Sequence, residues 1–277
     1  MPFSFETLSL PRIMGILNVT EDSFSDGGQF KDPQLAIKHA IHMLDAGADI
    51  IDIGAESTRP GSEPVDPKLE WQSIEPVLVG LLAAVPACKV SIDTRKAYVA
   101  ERSIACGAVM INDVSALDFD PLMADLLKDH AHVELVLMHM QGSPKNMQVS
   151  PNYEDAVSEV KQYLISRLQY AIDKGINPER IYLDPGIGFG KNLQHNLEIL
   201  AHLEAYNGHK LLLGASRKSF IAKISGSDPS SRLGGSIAST AWALMCNASI
   251  IRVHDVFEHK QFMQVFKAIA DSRERNS

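Results

Sequence analysis

The stretch DPQLAIKHAIHMLDAGADIIDIGAESTRPG, residues 32–61, holds the unit that decides the fold. Asp32 before Pro33 is a helix start, since a side-chain acceptor and a preset φ both suit a first turn. Leu35, Ile37, Ala40, Ile41 and Leu44 then fall on one side of that helix. Gly47 ends it, because glycine takes the left-handed conformation of a helix C-terminus without steric cost. Residues 49–55 follow as an isoleucine-rich run without polar alternation, the pattern of a parallel strand covered on both faces. After the strand comes a polar loop, ESTRPGSEPV, with an arginine and two prolines.

The same unit recurs on either side. Strand-like runs lie at residues 12–19, 49–55, 89–94, 109–114, 133–139, 180–185, 210–215 and 249–254. Helical spacing fills 32–46, 67–84, 96–106, 121–130, 153–174, 193–206, 236–246 and 256–270, and Gly107 and Gly175 repeat the stop seen at Gly47. Eight strand-helix units without an intervening linker predict one domain over residues 1–277, a single (β/α)8 barrel of the TIM type. The length agrees, since such barrels take roughly 250 residues. An open doubly wound sheet would gather its ligand groups at one switch point. Here nearly every run ends in polar groups: Asn18, Glu56 to Arg59, Asp93, Asn112 with Asp113, His139, Asp184, Ser216 to Lys218, and Arg252 to Asp255. The active site is therefore expected at the C-terminal mouth of the strands.

Composition narrows the function. Charged residues number 26 basic against 34 acidic, a net charge of −8 with no basic run, which argues against nucleic-acid binding. The N-terminus lacks the pattern of an export signal, and the apolar run at 77–87 is broken by Gly80 and Pro86, too short to span a bilayer. Three widely spaced cysteines, Cys88, Cys106 and Cys246, fit neither a disulfide framework nor a zinc site. A cytoplasmic protein is expected.

The segment DPGIGFGK, 184–191, follows a strand and precedes a helix but is no phosphate loop, because Pro185 stands where a Walker motif needs glycine and Asn192 where it needs Ser or Thr. Its alternative role is a tight turn that aims Asp184 inward. A barrel would bring Asp93, Asn112 and Asp184 to one rim, where carboxylates and an amide suit a ligand with several N–H donors, such as an amino-heterocycle. Arg59, Lys218, Arg252 and His254 are opposite in sign and suit phosphate. Lys218 is also where a Schiff-base enzyme could carry its amine. Asn18, beside the polar glycine-bearing loop TEDSFSDGG, could offer an oxygen to Mg²⁺, which takes few protein ligands alongside substrate phosphates. No serine or cysteine nucleophile motif is present.

The segments IMGILNVTEDSFSDGG, GADIIDIGAESTRPG, VSIDT, MINDVS, LMHMQGSPKNMQ, LDPGIGFGK, LLLGASRKSF and IIRVHDV, in order over residues 13–256, resemble the dihydropteroate synthase family. The resemblance implies a pterin-binding barrel that joins (7,8-dihydropterin-6-yl)methyl diphosphate to 4-aminobenzoate, with Mg²⁺ as cofactor, a homodimer and sulfonamide sensitivity. It assigns Asp184 and Asn112 to the 2-amino pyrimidine edge of the pterin, Asp93 to its N8 side, Lys218 to O4 and N5, and Arg252 to its ring face. It assigns Asn18, Arg59, Arg252 and His254 to the diphosphate, with Val253 beside them, Asn18 also on Mg²⁺ and Thr58 at the opening. Phe24, Pro60, Phe189 and Ser219 would form the aminobenzoate pocket, and the loop at 20–30 is expected to order with diphosphate and Mg²⁺. Glu21, Ile187 and Asn247-Ala248-Ser249 depart from the usual family residues. Two alternatives stand beside this reading: a pterin-dependent methyltransferase, for which the phosphate-binding set would be superfluous, and a catalytically silent pterin-binding paralogue.

Overall fold

The computed structural model describes residues 9–19, 32–57 and 61–274. Eight parallel strands, β1 (Arg12–Asn18), β2 (Ile50–Gly54), β3 (Val90–Asp93), β4 (Met110–Asp113), β5 (Glu134–Met138), β6 (Ile181–Asp184), β7 (Lys210–Leu213) and β8 (Ile250–Val253), pair in chain order into a closed barrel. Around them run α1 (Pro33–Asp45), α2 (Pro67–Ala84), α3 (Ala97–Ala105), α4 (Met123–Asp129), α5 (Ala156–Asp173), α6 (Leu193–Ala201), α7 (Ser219–Ser225), α8 (Leu233–Met245) and α9 (Val256–Glu274).

The helix start acts as the sequence predicts: the Asp32 side chain accepts from Gln34 N at 2.9 Å and Pro33 opens α1. The expected face is only partly right: Ile37 and Ala40 are buried, together with Ala36 and Met43, while Ile41 and Leu44 are half-buried and Leu35 is exposed. Gly47, Gly107 and Gly175 all have positive φ just past their helices. Asn247 holds the same conformation, φ 55°, before β8; asparagine is one of the few side chains that tolerate it. Two further expectations fail in detail. The expected helix at 193–206 stops at Ala201 and resumes as a 3-10 turn, Leu203–Tyr206. The stretch after β7 forms an additional short helix, α7, which ends at Gly226.

Register sorts the strand residues into two faces. Met14, Ile50, Met110, Val136, Tyr182, Leu212 and Ile250 form one buried cluster that plugs the waist of the barrel. The alternate positions, among them Ile51, Ile53, Ile111, Leu137, Leu183, Leu213, Ile251 and Val253, join the larger core between sheet and helices. Each such buried aliphatic side chain stabilises the fold by about 1.5–3 kcal/mol. Two residues beyond the plug, the same inward face carries Asp52, Asn112, Asp184, Gly214 and Arg252. The three cysteines are free, with only Cys88 buried, and no helix among the described residues is long and apolar enough to cross a membrane.

Candidate active site at the C-terminal mouth of the barrel

A single guanidinium organises the mouth. Arg252 on β8 donates from Nε to Asp52 Oδ2 on β2 at 2.6 Å and from Nη2 to Asp93 Oδ2 on β3 at 3.0 Å. Asp52 Oδ2 also accepts from Asn112 Nδ2 on β4 at 3.1 Å. The other oxygens of Asp52 and Asn112, Oδ1 in both, are buried without a partner, as is Ser91 Oγ on the intervening strand. Buried polar groups are normally satisfied, so three orphans on adjacent strands mark a wall built to meet a ligand. Glycines leave the space before it: a Cβ on Gly54 would sit 3.2 Å from Asp93 Cβ, and one on Gly214 3.7 Å from Asp184 Oδ2.

Asp184 ends β6, and its Oδ1 accepts from Gly186 N at 2.7 Å. The glycine turn is clamped from behind. A Cβ on Gly186, at φ 64°, would overlap the His139 carbonyl, and Lys191 Nζ donates to the carbonyls of Gly186 and Phe189 at 3.0 Å and meets His139 Nδ1 at 2.9 Å. Burial pushes Lys191 down to about 7 and His139 down to about 2. Both serve the turn, which in return sets Phe189 under Lys218, whose Nζ stands 4.1 Å from the ring centroid.

Lys218 is aimed by a strained residue. Arg217 has φ 56°, held by its N–H on Ser236 Oγ at 2.9 Å, by Arg232 Nη1 on its carbonyl at 2.9 Å and by an ion pair with Asp255. Desolvation, with Arg252 nearby, lowers Lys218 to about 8. Ser219 is the first residue of α7, exposed beside it. His254 shares Ser216 Oγ through Nδ1 at 3.1 Å, and burial followed by Arg252 and Arg217 lowers it to about 3, so it is neutral near pH 7.

Three carboxylates, Asp52, Asp93 and Asp184, share the pocket with Lys218 and Arg252, and Lys191 behind the glycine turn also acts on Asp184. Burial raises Asp93 and Asp184; Arg252 opposes this at Asp93 but is shared with Asp52. Arg252 itself resists the penalty of burial and is held above its ordinary value by Asp52 and Asp93.

Other strand-end groups turn out to be anchors. Glu56 binds Arg95 at 2.7 Å, Lys96, and Val65 N at 3.1 Å. Asp113, on the outward face next to Asn112, accepts from Ser115 N and Leu117 N, both at 2.8 Å. The Val253 side chain, 2% exposed, belongs to the core facing the helices and away from the mouth. Asn18 ends β1 half-buried and opposite Gly54. Phe24, Thr58, Arg59 and Pro60, and the loop at 20–30, lie outside the described residues. Sequence reasoning missed Asp52. Its signal was a carboxylate inside the apolar run IIDIG, where a buried charge requires a partner.

A family model described as pterin binding enzyme matches residues 14–254. The chain is 46% identical over 269 residues to a dihydropteroate synthase of Neisseria meningitidis serogroup C, covering 95% of this chain and 94% of that one. It is similar to the crystal structure of the Yersinia pestis dihydropteroate synthase with a sulfonamide drug complex, with TM-score 0.91, 42% identity and coverage of 95% and 96%. The Xanthomonas albilineans enzyme in complex with 7,8-dihydropteroate gives 0.83 at 39% identity, covering 95% of both chains.

Proposed function

The chain belongs to the pterin-binding enzyme family and functions as a dihydropteroate synthase, and from that premise we propose how its barrel mouth joins (7,8-dihydropterin-6-yl)methyl diphosphate to 4-aminobenzoate. The observation that carries the reading is the set of acceptors left open at the mouth, Asn112 Oδ1 foremost, beside the donors of Lys218 and Arg252. Asp184 and Asn112 take the amino edge of the pterin, Asp93 its N8 side, Lys218 its O4 and N5, and Arg252 lies on its face. Asn18, Arg59, Arg252 and His254 take the diphosphate, with Thr58 at the opening, and Phe24, Pro60, Phe189 and Ser219 receive the arylamine.

The reaction is an SN1-like displacement. The CH₂–O bond breaks, diphosphate leaves with the electron pair, and positive charge develops on the pterin methylene. Asp93 on the N8 side, when ionised, lowers the energy of that cation, because Arg252 orients its carboxylate before the reaction and it need not reorganise. The neutral arylamine then attacks the methylene and loses a proton, so no strong general base is needed. His254, neutral without ligand, gains a reason to hold a proton when an anion arrives beside it.

For Mg²⁺ the fit rests on the donor type. Asn18 offers a half-buried carboxamide at the strand end, and no group of three His, Cys, Asp or Glu side chains among the described residues is arranged to hold a metal ion, so the cation would take Asn18 and phosphate oxygens. When bound it would neutralise charge on the departing diphosphate.

We propose a homodimer acting in the cytoplasm, inhibited by sulfonamides, with no nucleic-acid partner. Exposed Trp242 on α8 and Phe257, Val265 and Ile269 on α9 support the self-association. The test is turnover: with both substrates and Mg²⁺ the protein releases diphosphate and forms 7,8-dihydropteroate in equal amounts. Diphosphate release without the condensed product would refute the coupling, and no release at all would favour a silent pterin-binding protein.

A further inference from the structure

We propose that Asp52 is a specificity-determining residue of the pterin pocket, because it fixes Asn112 as an acceptor. The inference rests on the pterin assignment above and goes beyond it, since Asp52 acts through Asn112 and not on the reacting atoms.

An asparagine amide has a donor end and an acceptor end that differ little in shape. Which end faces a ligand is decided by what holds the other. Asn112 Nδ2 lies 3.1 Å from Asp52 Oδ2, and turning the amide over would set its oxygen against a carboxylate, two acceptors face to face. Asp52 cannot move aside to allow this. It is fully buried, and the same Oδ2 accepts from Arg252 Nε at 2.6 Å, while the far side of that guanidinium is tied to Asp93 at 3.0 Å. The chain Asp93, Arg252, Asp52, Asn112 spans β3, β8, β2 and β4, so the amide orientation is secured from four strands.

Asn112 Oδ1, buried and without a protein donor, therefore presents only an acceptor. Together with Asp93 and Asp184 it forms an acceptor wall. Such a wall selects a ring edge bearing N–H groups and rejects the analogue with a carbonyl in place of the amine, because a site built for a donor leaves its own acceptors unpaired when the donor is missing.

The test measures binding of 2-amino-4-oxopteridine and of 2,4-dioxopteridine by calorimetry to the full chain and to Asp52→Asn. The variant is close in shape, and its amide can meet either end of Asn112. The affinity ratio between the two pteridines is expected to fall about tenfold, about 1.4 kcal/mol, with the melting transition still cooperative. Equal loss of both affinities, or an unchanged ratio, would overturn the role of Asp52. Failure of the unsubstituted protein to bind the aminopteridine would instead remove the pterin assignment itself. A second measurement needs no variant: the Asn112 side-chain NH₂ should exchange slowly without ligand and keep its nitrogen chemical shift on adding the aminopteridine. A large shift would mean that the donor end meets the ligand, and would refute the proposal.

Discussion

Both ends of the barrel lumen hold an arginine that reaches across to a carboxylate, yet only one end is a site. At the N-terminal end Arg12 on β1 grips Glu134 on β5 with two bonds, 3.0 and 3.2 Å, and Tyr182 donates to the same carboxylate at 2.6 Å while also receiving Arg12. Lys210, whose Nζ stands 5.4 Å from the Tyr182 ring, adds a second cation beside that one anion. Burial works against the Glu134 carboxylate, but the Arg12 and Tyr182 bonds outweigh it and lower its pKa. At the C-terminal end Arg252 is divided between two carboxylates, and Asp52 and Asn112 keep oxygens that nothing in the chain satisfies. The lower cluster closes on itself and seals the barrel; the upper one is complete only with a ligand.

The sharpest way to break the comparison is to remove each arginine. Arg252→Met leaves two buried carboxylates facing each other, and kcat/KM is expected to fall at least about a thousandfold, about 4 kcal/mol, with reduced thermal stability as well. Arg12→Met should lower the stability by about 1–3 kcal/mol in denaturant titration and leave kcat/KM within about threefold. A similar catalytic loss in both would mean that the lower cluster does more than seal.

Acid and base should affect the ends differently. Asp93 is raised by burial, so the anion that steadies the pterin cation is lost as pH falls through a value well above the usual carboxylate range. Lys218, lowered to about 8, loses its proton as pH rises through that value. The pH profile of kcat/KM is expected to be bell-shaped; Asp93→Asn should flatten the acid limb of the remaining activity and Lys218→Met the alkaline limb. Limbs that persist unchanged in these variants would assign them to other groups.

The smallest effect concerns the seal. Because the folded pKa of Glu134 is lowered, its charge contributes stability above the unfolded value that disappears as pH falls through the folded one. Glu134→Gln should cost about 1 kcal/mol at pH 7 and progressively less as pH falls through the lowered folded value, read by parallel unfolding curves. An equal cost at both pH values would assign the loss to packing instead of charge.

The sequence by itself determined the barrel. Unbroken apolar runs, the caps at Asp32 and the glycines at 47, 107 and 175 are local signals, and eight repeats of them leave few other ways to bury every strand on both faces. It also delivered Asp93, Asn112, Asp184, Lys218, Arg252 and His254 to one mouth, because parallel strands of similar length end together. It could not tell a working group from an anchor. Glu56, Asp113 and His139 lie at strand ends just as Asn112 and Asp184 do, but they bond to Lys96 before α3, Leu117 after β4 and Lys191 before α6. Asp52 looked like a stray charge in an apolar strand until Arg252, 200 residues away, proved to be its partner. Which polar atoms remain unsatisfied depends on contacts between distant strands, and only the closed barrel fixes those contacts.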